Sequence, residues 1–457
     1  MKRMILLIMV LVLTVVFTGC NRGRDGGGGG GRQTIKLASF IQANPTIHPI
    51  TGIRTVGAAE IERLMSELTG HNIEIVNVGG GTWIQQLETL VSSGEVDLGI
   101  FTNQVMVPRW FEELTPWIER SEVLGNGGLE RMWNDYVLYY TRYHTFDIPE
   151  AHNQIYGLPF YRMVDSRVAY DALIFEQWGV EPPKDGDSFW DILETARRVH
   201  GINPVTGVQN YGLHLVADRT EFMAISFDAW PAIRTGDMDI RNFDTDRFVE
   251  PLRTSPELLE YYEWLAQVVE ICPPGITTGA GAERWMTMDN NIAINLHPTR
   301  FTGVFPFLRA GMTDFTDRFR SIFYPVNSEG QMGFPEFEFM GMSQFSSNKE
   351  IAWDVLLTFT TNKTALDLLY QEYFFGNLPT LRDTSGLAYM DRVPGINERM
   401  VWLQGAGYRT DDYWWFRTPI APVIAEMLAQ MITPEVARQR TYEEISRWVD
   451  NRIRLAQ

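Results

Sequence analysis

The chain is poor in cysteine: Cys20 and Cys272 are the only two in 457 residues. No disulfide framework is available to staple the fold. A chain of this length buries enough apolar surface to hold together without one. After residue 20 no apolar run approaches the roughly 20 residues of a membrane-spanning helix. Positive charge is scarce as well. Asp and Glu number 57 against 39 Lys and Arg, for a formal charge of −18. Such a surface repels nucleic acid and anionic lipid and disfavours a polyanionic ligand. There is no Gly-x-Ser-x-Gly elbow and no His-Glu-x-x-His helix. The seven histidines show no metal-binding spacing. No cofactor or metal is therefore expected, and no internal repeat is visible.

What is present begins with the first twenty residues. Lys2 and Arg3 precede an apolar run, Ile5–Gly19, that ends in the small residues Thr18 and Gly19. This is the pattern of an export signal (residues 1–19) with a cleavage site. "FTGC" is similar to the lipobox of bacterial lipoproteins, where the cysteine is acylated and becomes the first mature residue. Phe17 stands where that pattern usually has Leu. Residues 20–32 then read as a lipidated Cys20 and a Gly-rich tether, whose random-coil reach is about 20 Å. An uncleaved anchor helix and a soluble exported protein are the alternatives.

Beyond the tether the hydrophobic period alternates between two and 3.6. "TIKLASF" (Thr34–Phe40), "NIEIVNV" (Asn72–Val78) and "VDLGIF" (Val96–Phe101) read as strands. Val56–Leu68 and Trp83–Gly94 carry apolar residues at helical spacing, and Gly70 follows the first as a stop. Strand–helix–strand units at this spacing imply a largely parallel sheet. Ser255-Pro256 and Thr433-Pro434 read as a cap followed by Pro at the first helical position. Ser347 with Glu350, and Thr441 with Glu444, match the capping-box pattern.

Five stretches in order carry a resemblance. They are "LETLVSSGEVDLGIF" (Leu87–Phe101), "IYGLPFYRMVDSRVAYDALIFEQWGVEPPKDGDSFWDILETARRV" (Ile155–Val199), "GMSQFSSNKEIAWDVLLTF" (Gly341–Phe359), "FGNLPTLRD" (Phe375–Asp383) and the C-terminal helix. Together they resemble extracellular solute-binding protein family 1, the sugar-type receptors of bacterial ABC importers. Val96 replaces the family's usual Pro and Asp171 its usual Asn. The resemblance implies a periplasmic-binding-protein-like α/β fold, with two lobes joined by a hinge and a ligand cleft between them. It implies lobe 1 over residues 33–158 and about 300–375, and lobe 2 over 159–299 and about 376–457. The crossings are expected near Leu158–Arg162 and Phe339–Met342. It also implies a monomer, anchored outside the cytoplasm, that hands solute to ABC permease subunits.

A sugar site needs aromatic platforms and planar polar groups, placed at the carboxyl ends of strands. Phe40 and Gln42 follow the first strand, and Trp83 heads a helix. Phe101, Asn103 and Gln104 end the strand that bears Asp97. Tyr161, Arg162 and Met342 lie at the expected crossings. Trp230, Asn295 and His297 are candidates from the second lobe. Each also has a plainer reading, as a core ring, a packed lid or a structural ion pair. "VGGGTW" could cradle an anion at a helix N-terminus, but it lacks the Lys and Ser/Thr of a nucleotide loop. The favoured function is a receptor that binds a carbohydrate, an oligosaccharide by the wealth of aromatics, without transforming it. The alternatives are an exported glycan-acting enzyme and a ligand sensor of the same fold.

Overall fold

The computed structural model describes residues 32–456, apart from 55, 80–81, 103–106, 143–147, 152, 165–166, 216–219, 222, 230–243, 277–284, 297–306, 309, 333–335, 373–376, 394, 406 and 409–412. In chain order its strands are β1 (Thr34–Ser39), β2 (Asn72–Asn77), β3 (Leu98–Thr102), β4 (Leu158–Val164), β5 (Arg167–Asp171), β6 (Gly201–Ile202), β7 (Gln209–His214), β8 (Ile292–Asn295), β9 (Phe319–Phe323), β10 (Gln331–Met332), β11 (Glu336–Met342) and β12 (Gly407–Tyr408). They form two five-stranded sheets, β2-β1-β3-β11-β4 and β6-β7-β8-β5-β9, and a small β10-β12 pair. This is the bilobed α/β architecture expected from the sequence.

The first lobe is built by the predicted βαβ units. β1 pairs in parallel with β2 (Ile35 beside Ile73) and with β3 (Leu37 beside Leu98). The intervening helix, Ala58–Thr69, buries Ile61 and Met65 and ends at Gly70 in the left-handed conformation, φ 75°. The next helix, Trp83–Ser92, buries Leu87 and Val91. Fully burying each such aliphatic side chain contributes roughly 1.5–3 kcal/mol. Asp97, just before β3, ties the far end of this sheet together. Its carboxylate accepts from Lys36 N at 3.0 Å and Ser346 Oγ at 2.6 Å.

β4 belongs to the first sheet over its whole length, and the chain passes to the second sheet between Val164 and Arg167. It returns between Phe323 and Glu336. Both passages lie outside the expected Leu158–Arg162 and Phe339–Met342, because an apolar run marks a strand but not the sheet that receives it. For the same reason β9, in a region expected with lobe 1, pairs with β5 in the second sheet. The helices Lys349–Thr361 and Lys363–Glu372 pack on the first sheet. The last two, Tyr413–Leu428 and Pro434–Ala456, pack on the second-lobe helix Pro256–Val269.

Helix starts follow the cap signals only in part. Ser255 Oγ accepts from Leu258 N at 3.0 Å, with Pro256 at the first helical position. The Ser347–Glu350 box does not form. That helix starts after Asn348 without a side-chain cap, and Glu350 pairs with Arg120. Thr441 starts no helix; it is buried within Pro434–Ala456, its hydroxyl 2.5 Å from that of Tyr262.

At the end of β5, Asp171 is wholly buried. It caps the helix Ala172–Trp178 by accepting from Leu173 N. It also accepts from Arg318 Nε at 3.0 Å, Arg318 Nη2 at 2.7 Å and Asn290 Nδ2 at 2.7 Å. The acid that stands at this position is thus a structural anchor of the second lobe.

Candidate ligand cleft

Strand direction locates the site. β4 runs antiparallel to β11, and β11 antiparallel to β3, so β4 ends at the carboxyl edge of the first sheet. β5 runs antiparallel to β8, so it starts at the carboxyl edge of the second sheet. β9 ends at that edge, and β11 begins at the carboxyl edge of the first. Both passages therefore join the two carboxyl edges, which is where open α/β sheets bind ligands.

On the first edge the loop after β1 is pinned by hydrogen bonds. Asn77 Nδ2 donates to Ile41 O at 2.7 Å, and Ala58 N donates to Gln42 O at 3.0 Å. Phe40 meets Trp83 edge to face, with centroids 5.0 Å apart and an interplanar angle of 76°. Both rings are half-buried and Gln42 is exposed. Trp83 is held by its helix start: Gln86 folds back so that Nε2 donates to Gly79 O at 3.2 Å and Thr82 Oγ1 at 2.9 Å. The structure thus brings together two of the residues that sequence reasoning singled out, Phe40 and Trp83, with Gln42 two residues beyond Phe40 in the same loop.

Three others are buried. Phe101 is 4% exposed, between Phe111 at 4.8 Å and Phe339 at 5.8 Å. Its ring fills the space left by Gly157 and Gly341, where an added Cβ would come within 2.6 and 2.7 Å of it. Met342 is fully buried opposite Leu98, at the end of the first sheet away from the passages. Asn295 ends β8 beside His214 of β7 and is fully buried. Tyr161 and Arg162 lie on β4, their side chains outside the described residues, as are Asn103, Gln104, Trp230, His297 and Cys20.

Sequence reasoning passed over several polar groups at these edges. His214 ends β7, fully buried. Arg167, the first residue of β5, donates from Nε to Ser321 Oγ at 3.1 Å, and its guanidinium lies 4.0 Å over the ring of Phe323. Thr102 and Glu338 face each other across β3 and β11, 4% and 2% exposed. Asn295 was marked by a polar residue closing the apolar run IAIN, whereas His214 closes QNYGLH, a mixed segment that carries no such signal. Glu338 sits within an apolar strand and gives no local sign of its place.

Elsewhere, an open pocket of about 520 Å³ lies at the amino end of β7, between His200, Tyr211, Pro273, Pro274 and Leu428. Among the described residues no group of three His, Cys, Asp or Glu could hold a metal ion. No described helix is long and apolar enough to cross a membrane.

No protein-family model matches the sequence, and no curated relative matches it. Solved structures do. An ABC substrate-binding protein from Listeria monocytogenes in complex with cycloalternan superposes with a TM-score of 0.67 at 16% identity, covering 91% of this chain and 99% of that one. The GacH receptor of Streptomyces glaucescens, solved unliganded and with acarbose, gives 0.68 at 13% identity, covering 92% and 99%. Maltose-bound MalE3 of T. maritima gives 0.64 at 14%, covering 90% and 99%. At these identities the likeness shows a shared fold.

Proposed function

We propose that this chain is an extracytoplasmic solute receptor that binds a carbohydrate, an oligosaccharide in particular, and delivers it to an ABC importer. The observation that carries the reading is the Phe40–Trp83 pair, half-buried at the carboxyl edge of the first sheet, with the exposed Gln42 two residues after Phe40 in the same loop. Aromatic faces complement the C–H faces of sugars, and a carboxamide both donates to and accepts from hydroxyls. The passages joining the two carboxyl edges suit a hinge that closes around a ligand and removes it from water. Relatives in fold were solved with cycloalternan, acarbose and maltose, which supports the substrate class. In this reading Asn103, Gln104, Tyr161, Arg162, Trp230 and His297 supply further contacts, and acylated Cys20 holds a monomeric receptor near its permease. The chain binds and does not transform its ligand.

The test is thermal unfolding and tryptophan fluorescence of the purified protein against mono- and oligosaccharides, with peptides and polyamines as controls. A sugar at one hundred times its Kd stabilises the native state by about 2.7 kcal/mol. A saturable rise in Tm with an intact sugar is the expected result. A rise with peptides or polyamines alone would sink the carbohydrate class. Cleavage of the sugar would replace the receptor with an enzyme.

A further inference from the structure

The connection from β1 to the helix Ala58–Thr69 spans residues 40–57, whereas strand-to-helix turns ordinarily take about 2–6 residues. It is closed at its base by the Ala58 N to Gln42 O bond. Gly57 packs so tightly there that an added Cβ would lie 2.8 Å from Pro45 Cδ and 3.1 Å from Ala43 O. The outer half folds on itself. His48 N donates to Ile53 O and Gly52 N to His48 O, both at 2.9 Å, and Ile47 bridges Arg54. Arg54 is tied back to the helix by Glu60 at 2.7 Å. These are the features of a compact Ω-loop, ordered by its own contacts.

At the tip His48 leaves the first lobe. Its ring meets Phe307 edge to face, with centroids 5.1 Å apart and an interplanar angle of 80°. Thr51 N donates to its Nδ1 at 3.2 Å, which fixes the ring's orientation. Phe307 belongs to the second lobe. It is 1% exposed and stacks face to face on Phe315 at 3.9 Å, and Phe315 packs on Phe319 at the head of β9. A side-chain contact thus joins the lobes apart from the covalent passages.

We propose that His48 on Phe307 is an inter-lobe latch: the loop 40–57 is a strap rooted in the first lobe whose tip holds the second. The pair biases the lobes toward the joined arrangement and slows ligand exit without touching the ligand. Edge-to-face pairs of this kind shift an equilibrium by roughly 2- to 13-fold. The proposal goes beyond the receptor reading, and its first readout needs no ligand.

The experiment is small-angle X-ray scattering of the ligand-free protein, comparing wild type with His48→Ala, His48→Phe and Phe307→Ala. His48→Ala should raise the radius of gyration, and His48→Phe, which keeps an aromatic edge, should restore it. His48 lies in an exposed loop, so its variants stay informative even if Phe307→Ala fails to fold. A radius unchanged in His48→Ala overturns the latch. A rise in both His48 variants also overturns it, since the ring contact would then be irrelevant. Where a sugar is bound, its release should speed up in His48→Ala by the same factor. If His48→Ala raises the radius and the wild type binds no sugar in titration, the latch stands and the carbohydrate reading alone falls.

Discussion

Replacing Asp171 with Asn takes one charge out of the second lobe and leaves its shape almost unchanged. The wild-type carboxylate is fully buried and engages Arg318, itself 14% exposed, through Nε at 3.0 Å and Nη2 at 2.7 Å. It also accepts from Asn290 and from Leu173 N. An asparagine keeps the cap through its carbonyl oxygen but turns an NH2 group toward two other donors. The guanidinium is stranded. Removing one partner of a buried pair costs about 3–5 kcal/mol. Arg318 also reaches Met288 O at 3.3 Å and keeps some water, which places Asp171→Asn near about 3 kcal/mol. Asp171→Ala loses the cap besides, adding about 1 kcal/mol. Guanidinium unfolding at neutral pH, followed by circular dichroism and tryptophan fluorescence, measures both. The double variant Asp171→Asn, Arg318→Met removes the stranded charge, so it should recover part of the loss and show a coupling of about 1–3 kcal/mol. An Asp171→Asn variant within about 0.5 kcal/mol of wild type, or strictly additive effects, would refute the argument.

Further outcomes follow from the same structure. Trp83→Ala should weaken sugar binding by about tenfold, and Phe40→Ala comparably, in isothermal titration; unchanged Kd values in both would remove the aromatic pair from the site. Gly341→Ala places a Cβ 2.7 Å from the Phe101 ring and from Tyr156 O, and should cost about 1–3 kcal/mol in denaturant unfolding. Burial lowers the pKa of His48 and His200 from the ordinary histidine range. Hydrogen bonds from Arg54 and Gly57 lower that of Glu60, and bonds from Ser188 lower that of Asp191. Each group holds a proton more tightly unfolded than folded, so its contribution is full above the unfolded pKa and is lost as pH falls through the folded one. The Tm should therefore fall steadily from about pH 7.5 to about pH 3.5, and a maximum in the acid range would contradict this. Burial pushes the Cys272 thiol far above its ordinary range, so a thiol reagent at mildly alkaline pH should spare it in the native protein. In denaturant the same reagent should find one thiol if Cys20 is acylated and two if it is free.

The first lobe was legible because its signals are local. Ile35, Leu37, Ile61, Met65, Leu87 and Val91 recur at the periods of strand and helix, and all are buried as those periods require. Ser255-Pro256 caps its helix because a hydroxyl needs only the next turn's N–H. The same kind of signal misled at Thr441, where a capping pattern lies mid-helix and the hydroxyl serves Tyr262, 179 residues away in sequence. Sheet membership was beyond local reading. β11 inserts between β3 and β4 from more than a third of the chain away, and β9 joins the second sheet although it lies just before that return. At the site, strand-end reasoning picked Phe40 and Gln42 and a helix head picked Trp83, and the fold sets the rings of Phe40 and Trp83 edge to face. Strand-end reasoning also picked Phe101, yet Gly157 and Gly341 leave a space into which that ring is drawn. The sequence alone determined periodicity, turns and the polarity of strand ends, because these depend on residues a few positions apart. Tertiary structure decided which ring faces the cleft and which fills the core, because that depends on volume vacated by distant glycines and strands.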